Sequence, residues 1–246
     1  LLAHAESLWQ SVVTDLPGFT VEVVPSIDST NTELMRRARL GPLEPVLLVA
    51  GEQTAGRGRM GRAWHSRPGQ SLTFSLALPL TPVDWSGLSL VVGVSLAEHL
   101  HPDVRLKWPN DLWLHERKLA GILVETAVGT DGGSAARTVV VGVGINIARP
   151  DSTALPTVAA DAPPPMPPAG LAEVLMGVTA GEALAQLVPP LVKNLLRFAS
   201  EGFAPFAGRF AQRDVLQGRL LRLSDGTEGM GCGVDARGAL QVQTAQ

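Results

Sequence analysis

Apolar residues recur along this chain with two periods, and the switches between them mark its elements. Over residues 4–16, Leu8, Val12 and Leu16 lie at helical spacing and Pro17-Gly18 ends the pattern, which predicts a short amphipathic helix. Phe19 to Val24 reads as a strand. Ser26-Ile27-Asp28-Ser29-Thr30-Asn31-Thr32-Glu33 then leads into a helix through Ala38, with Thr30 and Glu33 at the spacing of a capping box. Leu47 to Gly51 reads as a buried strand, and Ser71 to Leu78 alternates as a second. Trp85, Leu88, Val92, Leu96 and Leu100 share one face of a helix expected from about Asp84 to Leu100, so that face is core.

Val104 to Trp113 reads as two strand-like pieces pinned by Pro109, and Lys118 to Glu125 as another strand. A period of two puts Lys118 on the face of Ala120, Ile122 and Val124. A lysine there either carries its amine out to water along an apolar stem or serves a site. Val139 to Ile147 is a further apolar strand, with Gly142 and Gly144 where a backbone or ligand can come close. Residues 156–170 hold six prolines and no basic residue, which predicts an irregular connection. Helical spacing resumes from Leu171 to Leu196, broken or kinked at Pro189-Pro190. A short helix around Phe206 to Gln212 precedes three strands: Arg219 to Leu223, Gly229 to Val234 and Ala239 to Val242. Turns at Asp225-Gly226 and Arg237-Gly238 join them. The last three strands suggest a small barrel-like module of roughly thirty residues, with Gln246 as an early end.

Between the second and third strands lies the stretch Gln53-Thr54-Ala55-Gly56-Arg57-Gly58-Arg59-Met60-Gly61-Arg62-Ala63-Trp64. Glycine lets backbone amides approach a ligand closely, and each guanidinium offers five donors in a planar fork, so the loop suits phosphate and carboxylate. Two nucleotide motifs can be tested against it. A P-loop requires Lys then Ser/Thr after the last glycine, and Arg62-Ala63 follow instead. A dinucleotide fingerprint opens a helix, and Pro68-Gly69 with a strand-like run follow here.

Composition narrows the class. At 246 residues and 45% hydrophobic the chain can build a sizeable core, one large domain with a smaller partner. A net charge of -3 argues against general attraction to polyanions. A single cysteine, Cys232, excludes an internal disulfide framework, and five scattered histidines lack metal-ligand spacing. Neither a membrane-length apolar run nor a leader-like start is present, so the chain reads as soluble and cytoplasmic, and the missing initiator Met suggests an absent N-terminus.

Taken together, Gln53, Arg57, Arg59, Arg62, Asn110, Asp111, Lys118 and Asn146 form a set rich in cations and amides, without a nucleophile paired to a base. Such a set suits adenylate formation, in which a carboxylate attacks the α-phosphorus of ATP and two anions must be held together. A nucleic-acid module using the Arg/Gly loop is the reading from another class. It conflicts with the net charge and lacks interleaved aromatics.

Five segments, in order, resemble the signature of the biotin protein ligases: Ser29-Thr30-Asn31; Gln53 with Ala55 to Trp64; Lys107-Trp108-Pro109-Asn110-Asp111-Leu112; Lys118 to Glu125; and Gly142-Val143-Gly144-Ile145-Asn146. The resemblance covers roughly residues 20 to 245. It implies an α+β fold: a mixed sheet flanked by helices, related to the class II aminoacyl-tRNA synthetase core, with a small SH3-like module. The expected division is residues 1–214 and 215–246. It also implies an enzyme that activates biotin as biotinyl-5′-AMP and passes it to a lysine of a biotin carboxyl carrier protein.

By the same resemblance, Ser29, Thr30 and Gln53 contact the ureido ring, with Gly56, Gly121 and Gly142 admitting close backbone. Arg57 and Arg59 hold the biotin carboxylate and phosphates, Arg62 assists at the triphosphate, and Trp64 and Asn146 contact adenine. Lys118 bridges the carboxylate and the α-phosphate, and Asn110 and Asp111 lie near phosphates and Mg²⁺. ATP brings that Mg²⁺, so no dedicated protein metal site is expected. Asp111 is the sole candidate base for the second step. About 25 residues before the first core strand cannot hold a winged helix-turn-helix, which implies the monofunctional kind, with neither DNA nor membrane as partner. A homodimer stays open, as does a related lipoate or octanoyl ligase.

Overall fold

The computed structural model describes residues 1–128, 137–150 and 167–244. In chain order these form α1 (Leu2–Val12), β1 (Thr20–Ile27), α2 (Thr30–Leu40), β2 (Val46–Gln53), β3 (Ser71–Leu80), α3 (Leu88–Leu100), β4 (Arg105–Lys107), β5 (Asp111–Leu114), β6 (Arg117–Val128) and β7 (Arg137–Asn146). They continue as α4 (Ala180–Glu201), α5 (Ala204–Ala211), β8 (Leu220–Arg222), β9 (Glu228–Val234) and β10 (Leu240–Gln243). Seven strands make one mixed sheet, ordered β1-β2-β3-β7-β6-β5-β4, in which only β1 and β2 run parallel. This is the α+β architecture expected.

Central β3 and β7 are buried along most of their length because both faces of the sheet are covered there. On one face the large core joins Leu8, Leu96, Leu187 and Phe206 to Leu72, Phe74, Val141 and Val143. On the other, α2 alone packs Leu34, Met35 and Ala38 on Leu48, Ala77 and Val140. One eleven-residue helix cannot roof the whole sheet, so the strand ends beyond its N-terminus stay open. There the end of β2 meets the starts of β3, β5 and β6 and the end of β7, with Ser71 opposite Asn146, Gly144 opposite Gly121 and Gly121 opposite Asp111.

Four expectations change. Ser29 caps α2, its hydroxyl accepting from the Thr32 amide at 3.3 Å, while Glu33 turns to Arg36 and Arg37. Thr30 is therefore the first helical residue and no capping-box member. Helix α3 starts at Leu88, because Gly87 at φ 81° stands against the Phe203 ring where a Cβ would not fit. Helix α4 begins at Ala180 behind a Thr179–Glu182 capping box and runs unbroken through Pro189 and Pro190. An interior proline costs about 3 kcal/mol. Burying Leu184, Leu187, Val188, Leu191, Val192, Leu195 and Phe198 contributes roughly 1.5 to 3 kcal/mol each, which outweighs that cost.

The fourth change concerns Lys118. Leu112 pairs with Ala120 but Trp113 pairs with Lys118, so Leu119 is an extra residue on β6. Leu119 and Ala120 both enter the large core. A bulge of this kind re-aims the next side chain, and Lys118 leaves the face of Ala120 and Ile122 for that of Gly121 and Asp111. Of the proline-rich connection, residues 156–166 lie outside the described residues, as does Gln246; residues 167–170 have no regular structure.

Strands β8, β9 and β10 form a separate antiparallel sheet. It is held by the Trp108 indole donating to the Gly238 carbonyl at 3.0 Å and by Arg237–Asp84 and Arg219–Glu116 ion pairs.

Candidate active site

A cavity of about 430 Å³ opens on the α2 face at these strand ends. Its volume lies in the range that takes a small organic ligand. Ser29, Thr30 and Asn31 of the α2 N-terminus, Gln53, Arg57, Arg59, Arg62, Trp64, Asn110, Asp111, Lys118, Gly121 and Gly142 all line it. Two of the anticipated residues do not. Gly56 is buried at the neck of the loop, where a Cβ would meet the Trp64 carbonyl and lie 3.0 Å from Gln53 Nε2. Asn146, at the end of β7, donates its amide to the Ala169 carbonyl at 3.1 Å and faces a separate small cleft with His65 and Arg67.

One end of the cavity is a floor of neutral polar groups. The Thr30 amide donates to Gln53 Oε1 at 2.7 Å, and the Thr30 hydroxyl lies 3.0 Å from the same oxygen. Ser75 Oγ is 2.7 Å from both Thr30 Oγ1 and Asn31 Oδ1. Asn31 Nδ2 donates to Glu125 Oε2 at 2.9 Å. Gly142 is required beneath it, because a Cβ would collide with Asn31 Oδ1.

Cations crowd the other end. Lys118 Nζ donates to Asp111 Oδ1 at 2.8 Å. Asn110 is locked to β6 by its Nδ2 on the Ile122 carbonyl, 2.8 Å, and its Oδ1 accepts from Arg59 at 3.3 Å. The Arg/Gly loop folds back on itself, with Gly58 N on the Arg62 carbonyl and Trp64 N on the Gly56 carbonyl at 2.7 and 2.9 Å. Met60 at φ 56° and Gly61 at φ 73° make the reversal. The guanidinium groups of Arg57 and Arg62 are exposed and meet no carboxylate among the described residues. Trp64 lies on Gly144, where a Cβ would strike its ring, and its buried Nε1 has no partner among the described residues. An unpaired buried donor beside free cations fits an incoming acceptor-rich anion. Next to the site, Lys107 sits over the Trp113 ring at 4.1 Å, and burial lowers its ammonium pKa.

The sequence profile of the Biotin/lipoate A/B protein ligase family matches residues 23–146. The bifunctional ligase/repressor BirA of Escherichia coli is 37% identical over 246 residues, spanning 95% of this chain and 72% of that protein. The chain belongs to the biotin/lipoate A/B protein ligase family. Another family relative, the biotin–[acetyl-CoA-carboxylase] ligase of Paracoccus denitrificans, is 34% identical over 227 residues, covering 87% of this chain and 90% of its own length. The solved Aquifex aeolicus biotin protein ligase in complex with biotin and ATP superposes with a TM-score of 0.69 at 27% identity, covering 91% of each chain.

Against this family background, the sequence reading missed Ser75, Asn31 as a working side chain, Glu125 and Ser224, which also lines the cavity. Ser75 carried only a faint sequence signal, a hydroxyl in the middle of the strand-like run Ser71 to Leu78, and the structure buries it completely. Ser224 had none, since only the docking of the small sheet brings it to the mouth.

Proposed function

We propose that this protein joins biotin and ATP into biotinyl-5′-AMP and then transfers the biotinyl group to a lysine of a biotin carboxyl carrier protein. The observation that carries this reading is one cavity with a neutral hydroxyl and amide floor at one end and Lys118, Arg57, Arg59 and Arg62 at the other. The floor suits the ureido ring, and the cationic end suits two anions that must meet.

In the first step a biotin carboxylate oxygen attacks the α-phosphorus and the bond to pyrophosphate breaks. Lys118 and Arg59 offset the repulsion between the anions, and Arg62 attends the leaving pyrophosphate. Asp111 holds the Lys118 ammonium at the junction, supported by their 2.8 Å contact. Trp64 closes over the adenine side. Asn146 reaches the nucleotide in this proposal only through the neighbouring cleft. In the second step the carrier's lysine amine attacks the acyl carbonyl and AMP leaves, driven by positioning and a good leaving group. Among the described residues no three His, Cys, Asp or Glu side chains gather as a metal cage. One carboxylate, Asp111, beside the phosphate region fits Mg²⁺ entering as MgATP, the substrate form.

We also take residues 1–214 as the catalytic unit and 215–246 as a module bearing on its mouth, supported by Ser224 in the lining and the Arg219–Glu116 pair. No helix among the described residues is long and apolar enough to cross a membrane. A cytoplasmic site of action, where ATP is supplied, is part of the proposal.

Incubation with biotin, ATP, Mg²⁺ and a carrier domain is expected to release pyrophosphate and biotinylate one lysine. Absence of both biotinyl-AMP and transfer would overturn the reading.

A further inference from the structure

The three residues that join β4 to β5, Trp108-Pro109-Asn110, are gripped from two directions. Asn110 is fixed to β6, its Nδ2 donating to the Ile122 carbonyl at 2.8 Å and its own carbonyl accepting from the Ile122 amide at 3.0 Å. Trp108 is fixed to the small sheet instead, its indole N–H donating to the Gly238 carbonyl at 3.0 Å. Pro109 lies between them, and its locked φ leaves little slack. The turn that carries Gly238 is stiff in its own right, because Asp235 Oδ1 accepts from the amides of Arg237 and Ala239 at 2.8 and 2.9 Å. It presses on the start of α3. A Cβ on Gly238 would come within 3.0 Å of Gly87 Cα and of Leu90 Cδ1, and Arg237 donates to Asp84 at 2.8 Å. Trp108 borders the cavity, whereas Asp84, Gly87, Arg237 and Gly238 do not.

We infer that Trp108 is a positioning residue that transmits the seating of the Arg237-Gly238 turn on α3 to Asn110 and Asp111 at the cationic end of the cavity. Those two residues hold Arg59 and Lys118 through contacts of 3.3 and 2.8 Å. Hydrogen bonds weaken steeply when donor and acceptor move apart, so a displaced loop misplaces both cations at once. The indole has two uses: its ring walls the cavity, and its N–H ties that wall to a turn outside it. This deepens the biotin reading and rests on it for the step affected, adenylate formation.

The test compares two variants of the whole protein that attack the same contact from opposite sides. Trp108→Phe keeps an aromatic ring at the wall and removes the N–H. Gly238→Ala leaves the wall untouched and forces the turn off α3, since its Cβ has no room there. In each, kcat for biotin-dependent pyrophosphate exchange is expected to fall about five- to tenfold, the effect of one lost hydrogen bond, with the biotin KM within about twofold of wild type. The biotin KM holds because the neutral floor lies at the other end of the cavity. Hydrogen exchange at the Ile122 amide, which Asn110 protects, is expected to quicken by a similar factor relative to the amides of β3. The double variant should lose no more than either single one, because both release one contact. A side chain that merely packs would lower stability and leave Ile122 in step with β3. Full kcat in Trp108→Phe, an Ile122 amide that keeps pace with β3, or additive losses would each overturn the inference. Should Gly238→Ala not fold, Trp108→Phe decides by the same kinetic and exchange measurements. A wild type that forms no biotinyl-AMP sinks the biotin reading instead, and Ile122 exchange then still decides whether Trp108 positions the loop.

Discussion

Lys118 meets Asp111 at 2.8 Å across the β5–β6 pair because Leu119, the extra residue of the bulge, turns into the core beside Ala120. A regular strand would bury the lysine stem among Ile122 and Val124. The irregularity converts a core-facing position into one on the cavity wall.

Lys118→Ala is therefore expected to cut adenylate formation by about two orders of magnitude, the usual loss when one transition-state donor is removed. Pyrophosphate release measures it. Thermal unfolding should stay close to wild type, since the ammonium is partly exposed; full turnover would remove Lys118 from the chemistry.

Gly144→Ala tests the Trp64 wall. Its Cβ would drive into the indole, and overpacking of this kind costs about 1 to 3 kcal/mol. The KM for ATP should rise about tenfold or more, with a shift in tryptophan emission. An unaltered ATP KM would mean that the indole is not on the nucleotide side.

Arg59 ties the loop to the sheet through Asn110 at 3.3 Å. Arg59→Gly should loosen that closure, so that biotinyl-AMP escapes into solution faster than it is transferred. Rapid filtration, comparing released with retained intermediate, would decide the matter: full retention counts against a closing loop.

Hydrogen bonds from Arg36, and after them Arg37, lower the Glu33 pKa to about 2. A carboxyl group depressed in the folded state adds stability that is complete above its unfolded pKa, near 4.3, and lost as pH falls toward 2. Glu33→Gln should flatten the acid limb of a denaturation series between about pH 4.5 and 2. At neutral pH it should lower stability by no more than a modest amount, because the pair is partly solvated. An unchanged acid limb would show that the ion pairs are broken in solution.

Much of the molecule was legible before folding. Alternation and helical spacing located nearly every strand and helix, since burial on one face imposes a period on the residues themselves. The order of motifs around Ser29, the Arg/Gly loop, Asn110, Lys118 and Gly142 carried the resemblance to the biotin protein ligases, and that resemblance named the reaction; the cations and glycines by themselves pointed only to an anion site. Tertiary structure decided what depends on neighbours distant in sequence. Burial against the large core held α4 straight through two prolines that local preference says should stop it. Cross-strand register, which no local pattern encodes, created the bulge that aimed Lys118 at Asp111. Ser75, Asn31 and Glu125 became one hydrogen-bonded chain only when residues 44 and 94 positions from their partners were brought to the same face. Composition and spacing thus set which groups were available and on which elements. Packing and register, which act between segments, set which of those groups touch.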